Sequence, residues 1–131
     1  MILLCCVDDH MGMTFNHRRQ SQDRILRQRI LELSAGFLWM NEYSAKQFTD
    51  AAGQIIVDPD FTHKCPNGAY CFVEDVPVQM LLPERIILYR WNRTYPADTY
   101  FDIPLTEWNL LHVYDFPGYS HERITEEVYI K

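Results

Sequence analysis

Apolar and polar positions alternate along this chain in short blocks. Ile2–Val7 is a continuous apolar run, which is typical of a strand that is buried on both faces of a sheet. Ser21 can cap a helix at residues 22–33, whose apolar positions recur with helical spacing. A second apolar run at residues 37–40 follows that helix. Because a crossover helix joins parallel strands, the pattern predicts a βαβ unit at the start of the chain.

The rest of the chain continues with short elements. A short helix, two strands, a brief helix starting near Asp75 and Pro77, and a long strand are predicted, in that order, at residues 43–48, 54–57, 70–73, 75–82 and 84–91. Residues 108–115 and 122–130 alternate between apolar and polar, as the two strands of an antiparallel hairpin do. The pattern therefore predicts a single α/β domain at residues 1–131, with a mainly parallel central sheet, flanking helices and a C-terminal antiparallel hairpin.

Length and charge narrow the class of protein. The 131 residues suit one domain, and no apolar run approaches the roughly 18 residues that a transmembrane helix needs. The first apolar run lacks the basic flank of a signal peptide, so we expect a cytoplasmic protein without a membrane partner. A net charge of -6 argues against nucleic acid as a partner, since phosphates require a basic surface.

Cysteine and histidine usage gives little reason to expect a metal. The four cysteines are expected to be reduced thiols, and the neighbouring Cys5 and Cys6 should point to opposite faces of the first strand. His63, Cys65 and Cys71 imitate a zinc site only weakly, because paired ligands at CxxC-like spacing are missing. We therefore predict no metal ligands and folding without zinc.

One segment is basic in spite of the overall negative charge. Between residues 17 and 29 the single acid, Asp23, stands among five arginines, at positions 18, 19, 24, 27 and 29. Such a run is usually a solvated helix face. A binding site for a small anion is the alternative interpretation.

Two stretches of the chain resemble dihydrofolate reductase. Residues 7–13 read VDDHMGM, similar to the segment after the first strand of that family, where a glycine opens a mobile loop over the active site. Residues 84–101 end in DTYF, with Trp108 beyond them, and resemble the C-terminal third of the family. The resemblance implies the dihydrofolate reductase fold, and it places Asp23 near the catalytic carboxylate. The chain also resembles small bacterial proteins labelled ribonuclease Z, but it lacks the HxHxDH run of a di-zinc nuclease.

The resemblance implies NADPH as a cofactor, but the matching positions have changed. Where the family has the phosphate-binding run Met-Gly-Arg-x-Thr, residues 40–44 place Glu42 at the arginine position. The glycine-rich turn of the family is replaced at residues 73–75, which include Glu74 and Asp75. Carboxylates in a poorly solvated cleft repel a polyanion. We therefore expect no cofactor, with NADP bound only if the chain is a reductase with altered contacts.

The candidate ligand site lies beside the first predicted helix. Crevices in open α/β sheets lie outside the carboxyl ends of the parallel strands, and the first strand ends just before this region. Asp23 is the candidate catalytic residue, and Phe15, Arg18 and Arg27 are candidate pocket residues. Asp23 and Arg27 are four residues apart, so they can pair on one helix face, either around a ligand or as a surface salt bridge.

Three functions are consistent with these residues. The first is a protein of this fold that is not a reductase and binds a small polar or anionic ligand beside Asp23. The second is a pterin or folate oxidoreductase with altered cofactor contacts. The third is a structural or interaction protein, such as a homodimer, in which Tyr95, Tyr100 and Trp108 contact the partner.

Overall fold

A computed structural model describes the backbone of residues 1–131 and every side chain except those of Asp50 and Ala52. The strands are β1 (Ile2–Val7), β2 (Gly12–Phe15), β3 (Arg18–Arg19), β4 (Leu38–Met40), β5 (Ile55–Val57), β6 (Tyr70–Phe72), β7 (Arg85–Arg90), β8 (Thr99–Tyr100), β9 (Asn109–Phe116) and β10 (Ile124–Ile130). The helices are α1 (Arg24–Ser34), α2 (Glu42–Ala45) and α3 (Phe61–Lys64), with a 3₁₀ segment at Lys46–Gln54.

The central sheet has seven strands in the order β5-β4-β6-β1-β7-β10-β9. The first five are parallel, and β10 and β9 complete the sheet as an antiparallel hairpin. This arrangement confirms the predicted α/β fold with a mainly parallel sheet. The apolar β1 lies between β6 and β7, where a strand is buried on both faces.

Each face of the sheet carries its own apolar core. On one face, Leu26 and Ile30 of α1 pack against the sheet. On the other, Phe61 of α3 packs with residues of the loops that precede β7 and β9. Cys5 and Cys6 point to opposite faces, as predicted from the pleat of a strand. None of the helices of the described chain is both long enough and apolar enough to cross a membrane.

A second sheet was not predicted. No strand was predicted between the first strand and the first helix, but residues 12–20 contribute β2 and β3 to a three-stranded sheet in the order β3-β2-β8. Asn16 and His17 join β2 to β3 with φ values of 52° and 61°, the left-handed conformation that a two-residue type I′ hairpin turn requires at both positions. Gly12 lets β2 approach its neighbour, because a Cβ there would lie 2.6 Å from the Cβ of Ala97.

Two predictions of local structure are wrong. The first helix begins at Arg24 and is capped by Asp23, not by Ser21. The brief helix predicted at residues 75–82 does not form, and that segment consists of bends and turns with the Val78 side chain buried. Pro77 and Pro83 flank the buried Val78, and neither proline can donate a helical hydrogen bond.

The aromatic residues expected at a partner surface are mostly internal. Trp108 is buried in one core, and Tyr95 packs against the other. Of the three, Tyr100 is exposed. Burial therefore removes Trp108 from a partner surface, whereas Tyr95 is half-buried and Tyr100 remains exposed.

Candidate functional site

Asp23 is the most heavily hydrogen-bonded side chain beside the first helix. It is 2% exposed, and its two carboxylate oxygens accept hydrogen bonds from the first turn of α1 and from the loop before β10. The donors are the N–H groups of Ile25 (2.9 Å), Leu26 (3.3 Å), Tyr119 (3.0 Å) and Ser120 (2.9 Å), the Ser120 hydroxyl (3.2 Å) and His121 Nδ1 (2.8 Å). One carboxylate thus joins the beginning of α1 to the C-terminal hairpin.

These hydrogen bonds determine the charge of Asp23. Burial alone would raise the pKa of this carboxyl group. The N–H groups of Tyr119 and Ser120 and the ring of His121 outweigh burial, so the pKa of Asp23 is well below its usual range. Asp23 is therefore ionised at neutral pH, where it caps α1 and holds the loop before β10.

Asp23 and Arg27 do not pair. The Arg27 guanidinium donates instead to Gln22 Oε1, at 3.3 Å. Both residues border one recess between α1 and the sheet, with Leu26 and Trp91, but its volume is about 10 Å³. A single water molecule needs at least about 10–15 Å³. The recess beside Asp23 is closed to anything larger.

His121 extends the Asp23 cluster toward the surface. Since an ionised carboxylate can only accept, His121 Nδ1 carries the proton shared with Asp23, and Nε2 is an acceptor in the neutral ring. Nε2 lies 3.0 Å from Ser21 Oγ and 3.4 Å from the Tyr95 hydroxyl oxygen. The imidazole stacks on the Trp91 ring at a centroid distance of 4.6 Å. No pattern in the sequence pointed to His121 or to this role of Ser21.

The loop around Asp23 depends on Gly118. A Cβ at position 118 would lie 2.7 Å from Asp23 Oδ2 and 3.0 Å from the carbonyl oxygen of His121. We expect Gly118→Ala to lower the free energy of unfolding by about 1–3 kcal/mol, because the loop must move away from the carboxylate. Urea denaturation measures this.

Gly53→Ala is the matched control for that loop, since no atom of the described side chains or backbone lies within 4 Å of a Cβ at position 53. Its effect should be neutral or slightly stabilising. Equal midpoints for the Gly118→Ala variant and the wild type would contradict the close packing of the loop against Asp23.

A second polar cluster surrounds Glu74, which is 8% exposed. Arg19 binds its carboxylate with two hydrogen bonds, Nε to Oε2 at 3.0 Å and Nη2 to Oε1 at 3.2 Å. The Ser44 hydroxyl (2.8 Å) and Gln47 Nε2 (3.0 Å) also donate to Oε1. The Arg19 guanidinium lies 4.4 Å from the centroid of the Tyr43 ring. We refer to Arg19, Ser44, Gln47 and Glu74 as the Glu74 cluster.

The Glu74 cluster joins the two stretches where the resemblance places the cofactor phosphates. Ser44 follows β4 and Glu74 follows β6, and Arg19 of β3 crosses between them. Serine and arginine side chains that could bind a phosphate are thus bound to a buried carboxylate of the chain itself. These residues do not fit the phosphates of NADP(H). The Glu74 carboxylate repels a phosphate, and it already accepts the hydrogen bonds that Arg19 and Ser44 could donate to one.

An open cavity lies on the other side of the β2–β3 hairpin. Its volume is about 420 Å³, and Phe15, Asn16, Arg18, Arg19, Gln20, Tyr95 and Pro96 line it. We call it the hairpin cavity. The structure thus brings together Phe15 and Arg18 of the predicted site residues, and places Asp23 and Arg27 at the separate closed recess. The Arg18 side chain is exposed and makes no ion pair with any described side chain.

The residues with metal-ligating side chains are dispersed. Within the described part of the chain, no three histidine, cysteine, aspartate or glutamate side chains are grouped so that they could bind one ion. His63 binds Asp60 across one helical turn, at 2.7 Å, and Cys65 and Cys71 are free thiols.

Comparison with solved structures gives the fold. The dihydrofolate reductase from Enterococcus faecalis, in complex with NADP(H) and RAB-propyl, matches with a TM-score of 0.70 over 98% of this chain and 94% of that chain. Sequence identity is 9%, so the match shows the fold alone. No protein-family model and no curated protein sequence matches the chain. The chain has the dihydrofolate reductase fold that its two end regions predicted.

Proposed function

We propose that this chain is a binding protein with the dihydrofolate reductase fold that does not use NADPH and that takes a small anionic ligand in the hairpin cavity. The observation that supports this most is the Glu74 cluster. It places a buried carboxylate, already paired with Arg19, between the two stretches that resemble the cofactor site. A dinucleotide would have to break two charge-assisted hydrogen bonds and then face the carboxylate.

The chemistry of the hairpin cavity suits an anion with an aromatic or flat apolar part. Phe15 and Tyr95 supply ring surfaces, and Arg18 supplies a guanidinium that no described carboxylate neutralises. Arginine presents a planar set of donors that matches carboxylate and phosphate oxygens. A volume of about 420 Å³ is within the usual range for small-molecule sites.

A reductase with altered cofactor contacts has less support. Such an enzyme needs a carboxyl group that exchanges a proton with the substrate, and the pKa of Asp23 lies below the useful range. It also needs space for a pterin beside α1, where the recess measures about 10 Å³. Asp23 serves instead to connect α1 to the loop before β10.

Phenyl phosphate combines an aromatic ring with an anion and is a suitable probe. We expect saturable binding with a Kd of about 1 mM or tighter, equivalent to about 4 kcal/mol. In an NMR titration the amide signals of Gln20 and Tyr95 should shift. Arg18→Gln should weaken binding at least about tenfold, because a hydrogen bond to a charged group contributes about 1.5–3 kcal/mol.

Arg85→Gln is the matched control, since Arg85 is an exposed arginine on β7 outside the hairpin cavity. It should bind phenyl phosphate as the wild type does. NADPH added to the wild type should produce no saturable heat in calorimetry. Micromolar NADPH binding, or equal phenyl phosphate affinity in the Arg18→Gln variant and the wild type, would refute the proposal.

A further inference from the structure

We propose that Ser21, His121 and Asp23 form a nucleophilic triad that hydrolyses small carboxylic esters, with Ser21 as the nucleophile. This activity goes beyond ligand binding in the hairpin cavity and does not depend on it. The three residues come from the segment before α1, the cap of α1 and the loop before β10.

The order of the contacts is the one that acyl transfer requires. Ser21 Oγ lies 3.0 Å from His121 Nε2, and His121 Nδ1 lies 2.8 Å from Asp23 Oδ2. Because the Asp23 carboxylate accepts the Nδ1 proton, the neutral ring presents its lone pair at Nε2 to the serine hydroxyl. The imidazole can therefore take the hydroxyl proton when Ser21 attacks a carbonyl carbon.

The surroundings fix the His121 ring in this orientation. The ring stacks on Trp91 with an interplanar angle of 26°, a position that also favours a positively charged imidazolium. The N–H groups of Tyr119 and Ser120 hold the Asp23 carboxylate, which is fully buried. A base oriented by a fixed third group is what distinguishes an activated serine from an ordinary surface hydroxyl.

The nucleophile is accessible from solvent. Ser21 is partly exposed, and the residue before it, Gln20, lines the hairpin cavity with Tyr95. Ser21 borders the closed recess beside Asp23 and not the hairpin cavity, so an ester must approach its hydroxyl from the exposed side of the residue.

The reaction takes place in two balanced steps. Ser21 Oγ bonds to the ester carbonyl carbon, its proton passes to His121 Nε2, and the C–O bond breaks as the alcohol leaves with that proton. Water then attacks the acyl-serine and gives a proton to Nε2. The carboxylic acid leaves and Ser21 regains its proton, so one ester and one water become one acid and one alcohol.

A fluorophosphonate tests the nucleophile directly, since it forms an O–P bond with an activated serine and releases fluoride. We expect stoichiometric labelling of the wild-type chain, with the adduct mapped to Ser21 by peptide mass spectrometry. p-Nitrophenyl acetate, a neutral ester, should be hydrolysed with a burst of p-nitrophenol. His121→Gln should slow labelling by at least about 100-fold, the contribution of a general base.

Ser34→Ala is the matched control, because Ser34 lies at the other end of α1 and its hydroxyl donates to the Ile30 carbonyl. This variant should be labelled like the wild type. An unlabelled wild type, or an adduct on another residue, would overturn the proposal even if the Ser21→Ala variant failed to fold. Phenyl phosphate binding should persist in the labelled chain if the hairpin cavity is the ligand site, so the two proposals can fail separately.

Discussion

Asp23→Ala is expected to lower the free energy of unfolding by about 3–5 kcal/mol, because it removes a helix cap and leaves several buried hydrogen-bond donors without an acceptor. The substitution takes away the cap of α1, whose loss alone costs about 0.5–2 kcal/mol. It also leaves the Tyr119 and Ser120 N–H groups and the His121 ring without their acceptor. The loss should appear in urea denaturation followed by circular dichroism.

Asp102→Ala is the control for this substitution, since Asp102 is an exposed aspartate that takes no part in the hydrogen bonds around Asp23. Its effect should remain within about 0.5 kcal/mol. A loss of less than 1 kcal/mol for Asp23→Ala would mean that the loop before β10 does not depend on this carboxylate.

The same residue predicts how stability changes with pH. The pKa of Asp23 is lowered in the folded protein, and that of an unfolded aspartate is about 3.9. A lowered folded pKa contributes stability that is present above about pH 4 and is lost as the pH falls through the folded value. The free energy of unfolding of the wild type should therefore fall more steeply below pH 4 than that of the Asp23→Asn variant, whose side chain cannot ionise.

Arg19→Met is expected to lower the free energy of unfolding by about 2–4 kcal/mol, because it leaves the Glu74 carboxylate buried without its cation. The value lies below that for Asp23 since Arg19 is partly exposed, and since Ser44 and Gln47 still donate to Glu74. The double substitution Arg19→Met with Glu74→Met should recover most of the loss, because replacing both partners with apolar groups is often neutral.

A double-mutant cycle in urea measures the coupling between Arg19 and Glu74. Additive losses from the two substitutions would show that the charges do not interact. Arg18→Met is a suitable control, since this neighbouring arginine is exposed and makes no ion pair with the described side chains. It should leave stability nearly unchanged.

Much of the fold could be predicted because its signals are local. β1 is a continuous apolar run, and this pattern indicates a strand in the interior of the sheet. The hairpin of β9 and β10 was predicted from alternating residues, but β9 is exposed along all of its length except Phe116. The β2–β3 hairpin has two-residue pairing and an Asn-His turn in place of the usual Asn-Gly, so its pattern was too short to recognise. Proline and aspartate suggested a helix at residues 75–82, but burial of Val78 determines the path of that segment.

The candidate site was predictable only in part. The resemblance to dihydrofolate reductase identified Asp23, but its partners at residues 119–121 come together with it only in the folded chain. The resemblance placed Glu74 in the turn that binds the cofactor phosphates in the family. Its pairing with Arg19 was not predictable, because it depends on the unpredicted β2–β3 hairpin. Sequence spacing finds neighbours on one helix or strand, and these contacts join different elements.

The Asp23 anchor has a consequence for the order in which the chain folds. Its loop partners lie 96, 97 and 98 residues further along the chain. A ribosome must therefore synthesise most of the sequence before Asp23 at the start of α1 can form these hydrogen bonds. Contacts between distant residues slow folding, because the intervening chain must first be ordered. A nascent chain that stops before Tyr119 should therefore leave α1 sensitive to protease, and protection of α1 should appear only after residues 119–121 have left the ribosome.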